Sequence, residues 1–162
     1  MMHQSSLSAG PDNLNCWFSL LRRYLIFSAA ANLLWETFHL PLYTVWQDGT
    51  INEIFIAAVH CTMADLVIAL CCLIIAILFL GNRQWPVLTF TPVLYATLAL
   101  GVAYTTYSEW NNVYVLQTWA YSELMPIVPI IEIGFSPIAQ WIFIPLSGLI
   151  WARRGLPTGV SL

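Results

Sequence analysis

Residues 54–83 read IFIAAVHCTMADLVIALCCLIIAILFLGNR, an apolar run with one acid, Asp65, that stops at Gly81-Asn82-Arg83. A helix crossing a lipid bilayer needs roughly 20 apolar residues at about 1.5 Å of rise each. This run exceeds that length. Arg and Lys near span ends stay on the cytoplasmic side, so Arg83 marks the inner end of the run.

Upstream, a span over about 24–46 follows Arg22 and Arg23, and the turn Gln47-Asp48-Gly49-Thr50 separates it from the run at 54–80. Downstream, a third span over about 87–107 follows Trp85-Pro86, and a last one over about 138–152 is closed by Arg153 and Arg154. All cationic side chains are arginines, and this topology puts every one of them inside. Seven acids, Glu36, Asp48, Glu53, Asp65, Glu109, Glu123 and Glu132, then fall in the outer half or beyond it. The expected architecture is all-α, a polytopic bundle of about four membrane helices with both termini cytoplasmic. Residues 1–21 form a cytoplasmic segment, 22–154 the bundle and 155–162 a cytoplasmic tail.

Residues 109–137 are too apolar for a free loop, yet they carry Glu123, Glu132, Pro126 and Pro129. A membrane helix there would put the last arginines outside. The expectation is an outer interfacial or re-entrant segment: an interfacial helix, then a proline-broken lid over the mouth of the bundle. Trp110, Trp119, Tyr121 and Tyr114 suit an interface belt, and Trp46, Trp85 and Trp151 suit interface anchoring.

Composition agrees. The chain of 162 residues is 59% hydrophobic and 8% charged, with mean hydropathy +0.74; a soluble domain is about 25% charged. No basic run of the kind that binds polyanions is present, which excludes nucleic acid as a partner. The first residues lack the basic-then-apolar order of a cleaved signal peptide. Cys16, Cys61, Cys71 and Cys72 form no disulfide framework or CxxC motif, and the last two read as small packing residues.

Chemistry has three sources. In the first span Asn32, Glu36, His39 and Tyr43 follow i, i+4, i+7, i+11 spacing, which at about 100° per residue is one stripe. Pro41 frees the Thr37 carbonyl and kinks that stripe. The second span offers His60 and Asp65, and the third ends with Tyr104, Tyr107 and Glu109. Carboxylates at membrane depth are costly, so a cluster at one level from several spans reads as functional, against the plainer reading of helix–helix hydrogen bonds.

Three chemistries fit such a cluster. Glu36-x-x-His39 with His60, Asp65 and Glu109 could hold a divalent metal, although di-iron bundles supply two such pairs. A Glu–His–Asp proton path lacks any acid in the inner halves of the spans. Acid–base work on a lipid olefin needs no further group. Glu36 with His39 is the acid, and Asp65 or Glu109 the base. Trp35, Trp110, Trp119 and Tyr107 offer π faces to a carbocation, with Tyr43, Asn32, His60, Tyr104 and Trp141 as further substrate contacts. No cofactor is required on this reading.

The layout resembles the emopamil-binding/sterol-isomerase (EXPERA) membrane superfamily. Asn32-Leu-Leu-Trp-Glu36 stands where that family carries His-x-x-x-Glu, Asp65 and Glu109 match its later acids, and Trp141-Ile-Phe-Ile-Pro145 its last-span Trp-x-x-x-Pro. Asn32 replaces the family's histidine, a role left to His39. Asn32-x-x-Trp35-Glu36 is also similar to integral membrane terpene cyclases. The resemblance implies an isomerase or cyclase acting by proton transfer on an isoprenoid or sterol-like lipid. The other readings are a non-enzymatic lipid- or metal-binding accessory subunit and a purely structural subunit. Expected partners are membrane lipid and a hydrophobic small molecule, with a homodimer or membrane complex allowed, in a bacterial inner membrane.

Overall fold

The computed structural model describes residues 11–156, so residues 1–10 of the expected N-terminal segment and 157–162 of the tail lie outside the described residues. Five α-helices carry the fold: α1 Pro11–His39, α2 Val45–Asp48, α3 Ile51–Leu80, α4 Phe90–Trp110 and α5 Phe135–Arg154. The hairpin β1 Ile127–Val128 and β2 Ile133–Gly134 is antiparallel, with Ile127 opposite Gly134. Among the described residues two helices, α3 and α5, are long and apolar enough to cross a membrane, with mean hydropathy of 2.9 and 1.4 over their most apolar windows.

Local chemistry sets the helix ends. The first helix extends well before residue 24 and is already formed at Pro11, the first described residue. It ends at His39 instead of continuing kinked to 46. Pro41 cannot donate to the Thr37 carbonyl and its ring disfavours helical geometry at Leu40. The chain tightens there into a 3-10 turn, Leu40–Leu42, closed by Tyr43 N–H to Leu40 O at 2.9 Å.

At the start of α3, Thr50 Oγ1 accepts from Glu53 N–H while Glu53 Oε2 accepts from Thr50 N–H at 2.7 Å, a reciprocal capping box. Thr50→Ala should destabilise the bundle by about 1 kcal/mol in chemical denaturation, and a change near zero would show that this end frays without consequence.

The long helices form a ring in which α1 packs on α3 and α5, and α4 packs on the same two. The core lies toward one end, where Leu20 and Tyr24 of α1 meet Leu73, Val93 and Leu149. Trp85 is not an interface anchor. It is 1% exposed and meets Trp17 edge-on at 4.8 Å. Trp46 and Trp151 do stand exposed. Large apolar side chains such as Phe38, Phe79 and Leu78 also cover the outside. A bundle apolar on both sides of its helices suits a lipid surround.

The arginines gather at the core end. Arg23 stacks over Trp151 at 4.1 Å, Arg153 over Phe90 at 4.4 Å, and Arg83 lies in the short connection between α3 and α4. Stacking of this kind is worth about 0.5–2 kcal/mol each. Glu36, Asp65 and Glu109 lie toward the other end, with Glu36 roughly 20 Å along α1 from Arg23.

Residues 109–137 differ from expectation. No interfacial α-helix forms there. Beyond Trp110 the chain widens into a π turn, Asn111–Val115, then runs irregularly to the hairpin. Its backbone is tied to the α1–α2 connection: Thr44 N–H donates to Ala120 O at 3.0 Å and Ser122 N–H to Leu42 O at 2.9 Å, while Tyr43 and Tyr121 form a bridge. These bonds satisfy backbone groups that no helix pairs.

Candidate active site

Three helices, α1, α3 and α5, converge on one polar knot. Gln140, on α5 and 3% exposed, points its amide nitrogen at three oxygens, each 2.9 Å away: Asn32 Oδ1, Glu36 Oε1 and Asp65 Oδ2. An amide carries two hydrogens. Three acceptors therefore share two hydrogens, one of them bifurcated. Asn32 and Glu36 reach the knot together because they are four residues apart on α1.

The second oxygen of Glu36 meets His39 Nε2 at 3.0 Å, and His39 Nδ1 meets Ser136 Oγ at 3.0 Å. His39 is therefore held at both ring nitrogens, between an acid on its own helix and a hydroxyl on α5. Its ring also stands edge-on to Tyr43, centroids 5.3 Å apart.

Glu109 ends α4 and forms a second centre. Tyr121 donates to its Oε2 at 2.6 Å and Tyr43 to the same oxygen at 3.2 Å. Burial, then the Glu109 charge, pushes the Tyr43 phenol well above its usual range; burial, then the bond to Glu109, does the same for Tyr121. Both phenols thus remain donors at neutral pH. A pKa raised on folding contributes stability that is whole below the unfolded value, about 10 for tyrosine, and is lost as pH rises beyond it. Melting temperature is expected to fall above about pH 10, and less steeply in a Tyr43→Phe, Tyr121→Phe double variant. Parallel curves for the two proteins would remove the phenols from that effect.

Between the two centres lies a cavity of about 320 Å³, lined by Glu36, His39, His60, Asp65, Glu109 and Gln140 among others. That is within the size range of small-molecule sites. Tyr43, Tyr104, Trp119 and Trp141 also line it, whereas Asn32 stands behind Gln140. Tyr107, Trp110 and Trp35, also expected to face the substrate, are elsewhere. Tyr107 is 61% exposed, because three residues past Tyr104 the helix turns about 60° away, toward Trp110. Trp35 is half-buried off the cavity, with its indole N–H unpaired.

The five residues of the metal alternative ring the cavity without meeting at a point: among the described residues no group of three or more His, Cys, Asp or Glu is placed to hold a metal ion. Gln140, Ser136 and the role of Tyr121 escaped the sequence reading. The available signal was Gln140 itself, an amide in the apolar run PIAQWIFIP with Ser136 one turn before it.

No protein-family model matches this chain, and no curated protein and no solved structure matches it. The reading of the site accordingly stands on its geometry.

Proposed function

We propose that the protein is an integral membrane enzyme that moves protons on an isoprenoid or sterol-like olefin, in the manner of an isomerase or cyclase. The observation that carries this is the meeting of two carboxyl groups, Glu36 and Asp65, at one amide on the wall of a mostly apolar cavity. An acid and a base side by side in an apolar pocket are what alkene protonation and the matching deprotonation need. In this reading α1, α3, α4 and α5 are four spans of a bacterial inner membrane, the arginine end is cytoplasmic as are both termini, and the cavity lies in the outer half of the bundle.

The Glu36 carboxyl delivers its proton to one alkene carbon, the π pair forms the new C–H bond, and the neighbouring carbon becomes cationic. Asp65 or Glu109 as carboxylate removes a proton from the adjacent carbon, and those electrons restore the double bond. His39, bonded to Glu36 and Ser136, orients the acid and relays to it the proton that the base carboxyl has gained, so no net proton is consumed. Trp119, Trp141 and Tyr104 present aromatic faces to the transient cation.

The resemblance to the sterol-isomerase superfamily points to the same chemistry. Protein in lipid nanodiscs, incubated in D₂O with prenyl and sterol olefins, should place deuterium at allylic carbons. Glu36→Gln should slow that incorporation by about 10²-fold or more. Wild-type protein that retains such a lipid yet exchanges no deuterium would leave the accessory lipid-binding reading in its place.

A further inference from the structure

The cavity is not sealed from the exterior. His60 and Tyr104, both on its wall, are exposed at the surface of the bundle, one on α3 and one on α4. The mouth therefore opens sideways, between those two helices. Toward the arginine end the same two helices enclose a second hollow, an apolar groove of about 460 Å³ between Ile75, Phe79 and Leu80 of α3 and Ala96, Ala99 and Leu100 of α4.

The two hollows lie along one line. On α3, Ala57, Ala64 and Ile68 of the cavity and Ile75 and Phe79 of the groove keep spacings of seven and four, which hold them within a stripe of about 60°. On α4, Ser108 and Tyr104 of the cavity continue at i−4 steps into Leu100 and Ala96 of the groove. Leu100 is one turn, about 6 Å, from Tyr104, and the α3 stripe runs roughly 33 Å from Ala57 to Phe79. Alanines at 96 and 99 leave the groove open, and nothing polar lines it.

We infer that the ligand is a long linear prenyl chain, entering between α3 and α4 with its reactive end in the carboxyl cavity and its tail along the α3–α4 groove. Four-residue steps on α4 rotate the ridge by about 40° each. A flexible chain follows that curve, while a rigid fused-ring lipid fills the cavity alone. The inference rests on the proposed function for the nature of the head group, and on the two hollows for the tail.

Photolabelling in nanodiscs tests it with geranylgeraniol and geraniol, each carrying a diazirine at the end remote from the hydroxyl. Geranylgeraniol should label Ile75, Phe79 or Leu100, and geraniol only cavity residues. Ala99→Trp, at an exposed position, should reduce geranylgeraniol labelling about tenfold, the weight of roughly two buried methylene groups, and leave geraniol unchanged. Terminal label confined to the cavity, label spread over the whole exterior, or an equal loss for both probes would overturn the tail site. Deuterium exchange, measured on the same samples, separates the two ideas. Groove labelling without exchange keeps the tail site and removes the enzyme; exchange without groove labelling does the reverse.

Discussion

Gln140→Leu is expected to destabilise the bundle by about 3 kcal/mol and to abolish ligand retention in the cavity. The amide is the shared donor to Asn32, Glu36 and Asp65. Hydrogen bonds to charged groups are worth about 1.5–3 kcal/mol, and a buried acceptor left without a donor adds its own desolvation cost. Leucine has similar bulk, so packing is kept and only the donor is lost. Chemical denaturation measures the stability and mass spectrometry the retained lipid. The loss should shrink when Gln140→Leu is combined with Asp65→Asn, because an asparagine amide supplies a donor to Glu36. Additive effects in that double-mutant cycle would mean that the three side chains do not act together.

Gly101→Ala should be the second severe change. Gly101 lies on α4 facing the Trp141 indole, and a Cβ there would overlap ring atoms of Trp141. Trp141 is 4% exposed and also lines the cavity, so it can yield only toward that space. Overpacking of a tight core costs about 1–3 kcal/mol. The same displacement would narrow the site, so bound lipid should fall together with stability. Gly101→Ala protein that unfolds like wild type and keeps its lipid would show that the indole has room elsewhere.

Some of this was open to inspection in the linear chain. The apolar run at 54–80 reads as a long helix, and the structure extends it back to Ile51, where the Thr50–Glu53 capping box starts it. Asn32, Glu36 and His39 share a stripe because helical periodicity places them so. The end of α1 was harder, since Pro41 permits either a kink or a stop. The tie between residues 42–44 and 120–122 decided for the stop, and no local rule contains it. The course of 116–126 was hidden for the same reason: Ala120 and Ser122 bond to residues 44 and 42.

Helical spacing and the separation of arginines from acids thus followed from the order of residues alone, because both depend on neighbours within a few turns. That Gln140 joins Asn32, Glu36 and Asp65 did not. Its partners lie 108, 104 and 75 residues away, and an uncharged amide shows no preference among helices until packing has chosen which of them it faces. The cavity is likewise a property of the ring of helices, since a hollow exists only between elements and belongs to none of them.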